Sequence, residues 1–113
     1  YTAYKGVDLG TDLIAGPYRF SALAEAYASA VGGAAVGDVV VTDFEVYPPS
    51  LDLPAGWAVT PVVRDGAIIG AMAVELPIAR LAAVMTADGD WSRGGLGATG
   101  EAYLVGPDGI MRS

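Results

Sequence analysis

The chain has 113 residues, 53% of them apolar and 17% charged, and a formal net charge of −7. That suits one packed domain spanning residues 1–113 and argues against a disordered segment. Its six basic residues are scattered singly, so no basic stripe exists to neutralise nucleic-acid phosphates, and an anionic membrane surface would repel it.

Histidine and cysteine are both absent. Their absence removes the commonest general base, the thiol nucleophile and the soft-metal ligands, and a Ser-His-Asp triad with them. Only an oxygen-ligand site for a hard cation stays open. No run approaches the roughly 18 to 20 apolar residues needed to span a bilayer. The chain begins without Met and stops where a strand is expected, and so reads as a piece of a longer protein.

In chain order, residues 1–5 are rich in aromatic and β-branched types and predict a short strand. Residues 8–16 predict a loop. Pro17 suits a first helical position, and Phe20, Leu23, Ala24, Tyr27 and Val31 follow the spacing of one buried helical face. Gly32 and Gly33 end that helix. Residues 38–46 predict one strand, with Val39 and Val41 on one face and Val40, Thr42 and Phe44 on the other. The proline-rich stretch 48–54 predicts a loop.

Strands are expected at 57–63 and 67–75, joined by Asp65-Gly66, where both positions accept positive φ. The second is apolar on both faces and is expected at the centre of the sheet, covered on both sides. Pro77 opens a second helix with Ile78, Leu81, Ala82 and Met85 as its inner stripe. A Gly-rich connector follows, then segments 101–106 and 110–113 around a Pro107-Asp108-Gly109 turn. The fold class read from this order is α+β, with two main helices and about five mostly antiparallel strands.

Gly95-Leu96-Gly97-Ala98-Thr99-Gly100 matches a dinucleotide pattern, but a strand rather than a helix is expected after it, so the aimed helix dipole is missing and the match reads as a connector. Asp43 and Glu45 are read on the same side of one strand, with Asp8 and Asp12 in the preceding loop. They lack compact ligand spacing and read as solvated charges and loop caps, and no cofactor or metal is implied. Tyr18, Arg19, Tyr47 and Trp57 form a different set. Aromatic walls with a few fixed polar groups suit a small-molecule pocket. Arg19 could clamp a carboxylate at a helix opening whose free backbone N–H groups also favour negative charge.

Three stretches resemble a known family: Tyr4-Lys5-Gly6-Val7-Asp8-Leu9-Gly10-Thr11-Asp12-Leu13 with Gly16-Pro17-Tyr18-Arg19; Val41-Thr42-Asp43-Phe44-Glu45-Val46-Tyr47 with Pro49-Ser50; and the run 95–113, with 70–86 fitting the same pattern. They look like the PAS-like Cache sensor regions of bacterial chemoreceptors, sensor histidine kinases and membrane-anchored adenylate cyclases. The resemblance implies a periplasmic domain of an inner-membrane signalling protein, binding a small ligand such as a carboxylate or amino acid, with no catalysis of its own. It places Tyr18, Arg19, Asp43, Tyr47 and Glu75 at ligand positions, with Asp43 or Glu75 meeting an amine. A ligand-free PAS-like dimerisation and relay module is the alternative, and a stand-alone enzyme lacks a visible nucleophile–base pair.

Overall fold

A computed structural model describes residues 6–90, 93–97 and 99–112. The strand expected at residues 1–5 lies outside them. The chain forms two compact units, Tyr1–Glu75 and Leu76–Ser113.

In the first unit, helix α1 spans Ala22–Val31. It begins five residues after the expected first position, Pro17, because Ser21 caps it, its side chain accepting from Ala24 N. Residues 17–20 form turns instead. The buried residues are therefore Leu23, Ala24, Ala26 and Ala30, with Leu23 and Ala24 as expected, while Phe20 is exposed. Alanine at these positions lets the helix axis approach the sheet closely, with larger side chains supplied from the strands.

Those strands are β1 (Val40–Val41), β2 (Glu45–Tyr47), β3 (Leu53–Arg64) and β4 (Ala67–Pro77). They make a four-stranded antiparallel sheet in an α+β fold. Both β1 and β2 pair with β3, as does β4. The expected single strand at 38–46 is broken, and the register shows how. Val41 lies opposite Ala58 and Glu45 opposite Ala55, so residues 42–44 face only residues 56 and 57. One extra residue makes a β-bulge, and a bulge reverses the inward and outward alternation beyond it. Val40, opposite buried Val59, and Tyr47 thus share the core face although seven positions apart. The Phe44 ring lies over Gly56, where an added Cβ would sit 3.2 Å from it.

The proline-rich segment turns through a short 3₁₀ helix, Pro48–Ser50. Its last two residues, Leu53 and Pro54, already belong to β3, with Pro54 opposite Val46. The β3–β4 turn is as expected, with positive φ at Asp65 (52°) and Gly66 (78°), the twist that suits a two-residue hairpin. The expected central position of residues 67–75 needs correcting. Among the described residues, β3 is the strand that β1, β2 and β4 all pair with, and Ile69, Met72 and Val74 of β4 are exposed. The core consists of Leu23, Ala26, Ala30, Tyr47, Ala55, Trp57 and Val59, with Leu13, Tyr18, Val40 and Ala71 packed against it.

In the second unit, helix α2 spans Ile78–Met85, with Pro77 at its N-cap. Its expected inner residues Ile78, Leu81, Ala82 and Met85 are half-buried. The expected terminal pair of strands is reduced to one bridge, Val105 with Met111. Asp108 in the intervening turn accepts two hydrogen bonds from Arg112 Nη2, both at 2.9 Å. That guanidinium, helped by the Ile110 N–H, holds the Asp108 carboxyl below its ordinary value. Gly95 and Gly97 of the apparent dinucleotide motif adopt positive φ in turns, and Ala98 lies outside the described residues. No helix follows among the described residues.

Candidate ligand site

Three aromatic side chains from separate segments meet between α1 and the sheet. Tyr47 comes from the end of β2, Trp57 from β3 and Tyr18 from the turn before α1. Tyr18 and Tyr47 rings lie 5.7 Å apart and tilted by 57°. Tyr47 and Trp57 lie 5.2 Å apart, edge to face at 81°, an arrangement that sets the positive edge of one ring against the negative face of the other. Tyr47 is 1% exposed and Trp57 7%.

The polar atoms of this cluster differ in how they are satisfied. Tyr47 Oη donates to Asp8 Oδ2 at 2.9 Å, across 39 positions of sequence. The Trp57 backbone is held by Thr42 on both sides, its N–H donating to Thr42 Oγ1 and its carbonyl accepting from Thr42 N, each at 2.9 Å. By contrast, Trp57 Nε1 is buried and has no hydrogen-bond partner among the described residues. An unsatisfied buried donor carries a desolvation cost of about 1–3 kcal/mol, so this atom is where an acceptor from outside the chain gains most.

No family model, curated protein or solved structure matches this chain.

The remaining expected site residues lie apart from that cluster or are already engaged. Arg19 is exposed; its Nη1 donates to the Gly16 carbonyl at 3.1 Å, and its guanidinium lies 4.3 Å over the Phe20 ring. Asp43 is exposed in the bulge and accepts from Phe44 N at 2.7 Å. Glu75 accepts from Ser50 Oγ at 2.9 Å, and Ser50 is buried. The structure therefore brings Tyr18, Tyr47 and Trp57 together and leaves Arg19 and Asp43 outside their stack.

At the helix opening, two of the first three backbone N–H groups are already taken. Glu45 Oε1 accepts from Ala22 N at 2.5 Å, and Ser21 Oγ accepts from Ala24 N at 3.2 Å. The chain's own carboxylate takes the place expected for a ligand's. The bulge causes this, since it turns Glu45 toward α1 and leaves Asp43 in solvent, separating two carboxylates read as neighbours on one side of a strand.

Two contributors were not assigned to the site from sequence. From its place in the loop Asp8 is expected to be a solvated charge or a loop cap, a role that Asp12 does fill by accepting from Ile14 N and Ala15 N. No local pattern marks Asp8 as the partner of Tyr47. Ser50 follows two prolines and, although it belongs to a stretch that carries the resemblance, has no ligand role implied by it. Among the described residues no group of three or more acidic side chains gathers to hold a metal ion.

Removing the Ser50 hydroxyl tests how the loop is tied to β4. Ser50→Ala is expected to lower stability by about 1 kcal/mol, the net worth of one buried hydrogen bond whose acceptor keeps access to water. A urea midpoint within error of the parent would show that the Ser50–Glu75 bond holds nothing in place.

Proposed function

We propose that this chain is the extracytoplasmic small-molecule-sensing domain of a bacterial membrane signalling protein, with a PAS-like Cache fold and no catalysis of its own. The buried, unpartnered Trp57 indole N–H within the Tyr18–Tyr47–Trp57 cluster carries this reading. Aromatic walls with few polar groups are what a small-molecule site uses to gain area and orientation. Placement in the periplasm, and anchoring of the parent protein in the inner membrane, belong to the same proposal. No helix of the described residues is long and apolar enough to cross a membrane.

In this reading Tyr18 and Tyr47 wall the ligand and Trp57 supplies a donor. Glu75, bonded to Ser50, and Asp43, in the exposed bulge, can meet a ligand amine only by leaving those arrangements. The Arg19 clamp likewise requires its release from Gly16 and Phe20.

A second reading, a ligand-free dimerisation and relay module, draws support from the near-complete burial of Tyr47 and Trp57 against each other. There the aromatic rings themselves fill the space that a ligand would take.

A thermal-shift screen of amides, amino acids, small carboxylates and divalent cations separates the two. A ligand at a hundred times its dissociation constant adds about 2.7 kcal/mol, which is worth a rise of several degrees in a domain of this size. No shift with any compound, together with a concentration-dependent dimer by ultracentrifugation, would favour the relay.

A further inference from the structure

We infer that Asp65-Gly66 is a covalent modification site, at which the folded chain isomerises aspartate to isoaspartate through a succinimide ring. The inference stands apart from the sensory reading above, since it concerns the β3–β4 turn alone.

The reaction needs only water. The backbone nitrogen of the following residue attacks the aspartate Cγ, and its proton leaves with the carboxyl hydroxyl as water. A second water then opens the ring by breaking the original backbone C–N bond, so that the chain runs on through Cβ and Cγ. One water is released and one consumed, and no oxidant or co-reactant takes part. Closure requires a nitrogen that no side chain screens, an N–H outside any hydrogen bond and a carboxyl free to turn toward it.

The sequence narrows the candidates first. Asparagine, the faster source of the same ring, is absent from the chain. Asp65, Asp88 and Asp108 precede glycine, whereas the other six aspartates precede Leu, Val, Phe or Trp. Glycine has no Cβ to crowd the approach.

The structure separates these three. Gly89 N–H donates to the Thr86 carbonyl and Gly109 N–H to the Gly106 carbonyl, each at 3.0 Å. Gly66 N–H has no hydrogen-bond partner among the described residues. The Asp108 carboxyl is held as well, by Arg112 Nη2 on both oxygens and by Ile110 N at 3.0 Å. Those bonds favour its ionised form, which is the form least able to lose an oxygen as water. Among the described residues Asp65 meets only the Arg64 guanidinium, at 3.8 Å, with the two side chains 93% and 78% exposed. Such a solvated pair does not hold the carboxyl in place. Residues 64–67 are all exposed, so the turn can open locally to bring nitrogen and Cγ together while the sheet stays folded. The product adds a methylene to the backbone of a turn that relies on positive φ at both positions, and so disturbs the hairpin where it begins.

Peptide mapping of the folded chain, kept for weeks in mildly acidic buffer made with H₂¹⁸O, tests this. Electron-transfer fragmentation distinguishes isoaspartate from aspartate, and ¹⁸O taken up at the same residue marks passage through the ring. Isoaspartate is expected first at Asp65. The hydrogen bond on Gly89 N–H should slow closure at Asp88 by roughly two- to tenfold relative to Asp65, and Asp108 should be slowest. In urea the three sites should approach one rate, because the bonds that set them apart are gone. Asp65→Glu, which closes a ring far less readily, should abolish the signal at that position and leave Asp88 unchanged.

Isoaspartate forming in the folded chain at Asp88 or Asp108 as early as at Asp65 would overturn the inference. The same ratio of rates in urea would assign the preference to flanking residues and overturn it too. So would isoaspartate at Asp65 in the urea-unfolded chain but not in the folded one, which would mean that the turn protects the site. If Asp65→Glu does not fold, the rates in the parent chain decide alone.

Discussion

Tyr47→Ala is expected to destabilise the first unit by about 3–5 kcal/mol, the range for truncating a buried aromatic residue to alanine. Tyr47 is 1% exposed and touches Tyr18 on one side and Trp57 on the other. Its removal opens a cavity at the one point where β2, β3 and the turn before α1 converge. It also strips Asp8 of the hydroxyl that it accepts from. Against a total stability of roughly 5–15 kcal/mol for a typical domain, such a loss removes a large share. Tyr47→Phe separates the two contributions, because it keeps the ring and removes only the hydroxyl. It should cost about 1–2 kcal/mol, the value of a hydrogen bond to a charged group at its lower end. Urea denaturation followed by tryptophan fluorescence measures both. A Tyr47→Ala loss below about 1.5 kcal/mol, with an unchanged denaturant slope, would mean that the aromatic cluster is peripheral to the core.

The next largest effect is expected at Glu45. Its carboxylate accepts from the first N–H of α1 and sits at the positive end of that helix, so it acts both as a cap and as a charge on the helix dipole. Glu45→Ala should lower stability by about 1–2 kcal/mol. Glu45→Gln should recover part of this, since the amide oxygen still accepts but the negative charge is gone. Backbone amide exchange localises the effect. Protection should fall first at Ala22 and in the first turn of α1, before the sheet responds. An equal loss of protection across β3 would instead indicate that Glu45 acts through global stability rather than by capping the helix.

Some of the architecture was legible in the residues alone. The Asp65-Gly66 turn follows from local chemistry, because few other residue pairs accept positive φ at both positions without strain. A helix near residues 22–31 follows from apolar spacing ended by glycine. It starts at Ala22 rather than at Pro17 because the Ser21 side chain accepts from Ala24 N and caps it there. Phe20 fits the helical spacing as well as Leu23 does, yet it lies outside the helix and in solvent. Tyr18, Tyr47 and Trp57 stood out as aromatic residues near element boundaries, and they do meet. Arg19 stood out by charge, but its guanidinium, 3.1 Å from the Gly16 carbonyl and 4.3 Å over the Phe20 ring, has local partners that spacing cannot reveal.

By itself the sequence determined what depends on residue type or on neighbours a few positions away. This includes the hairpin turn, the existence of both helices, the α+β class and the lack of histidine and cysteine chemistry. Only the tertiary structure decided which strand is central, which carboxylate caps α1 and which side chain Asp8 binds. The physical reason lies largely in the bulge at residues 42–44. Inward and outward alternation can be read along one strand only while its partner keeps step, and an extra residue opposite Ala55–Ala58 reverses every position after it. That reversal carries Glu45 to the helix and Tyr47 into the core, and leaves Asp43 in water. Centrality is a matter of pairing in the same way. Strand β4 is apolar enough for the middle of the sheet, but β3 is the strand that β1, β2 and β4 all pair with.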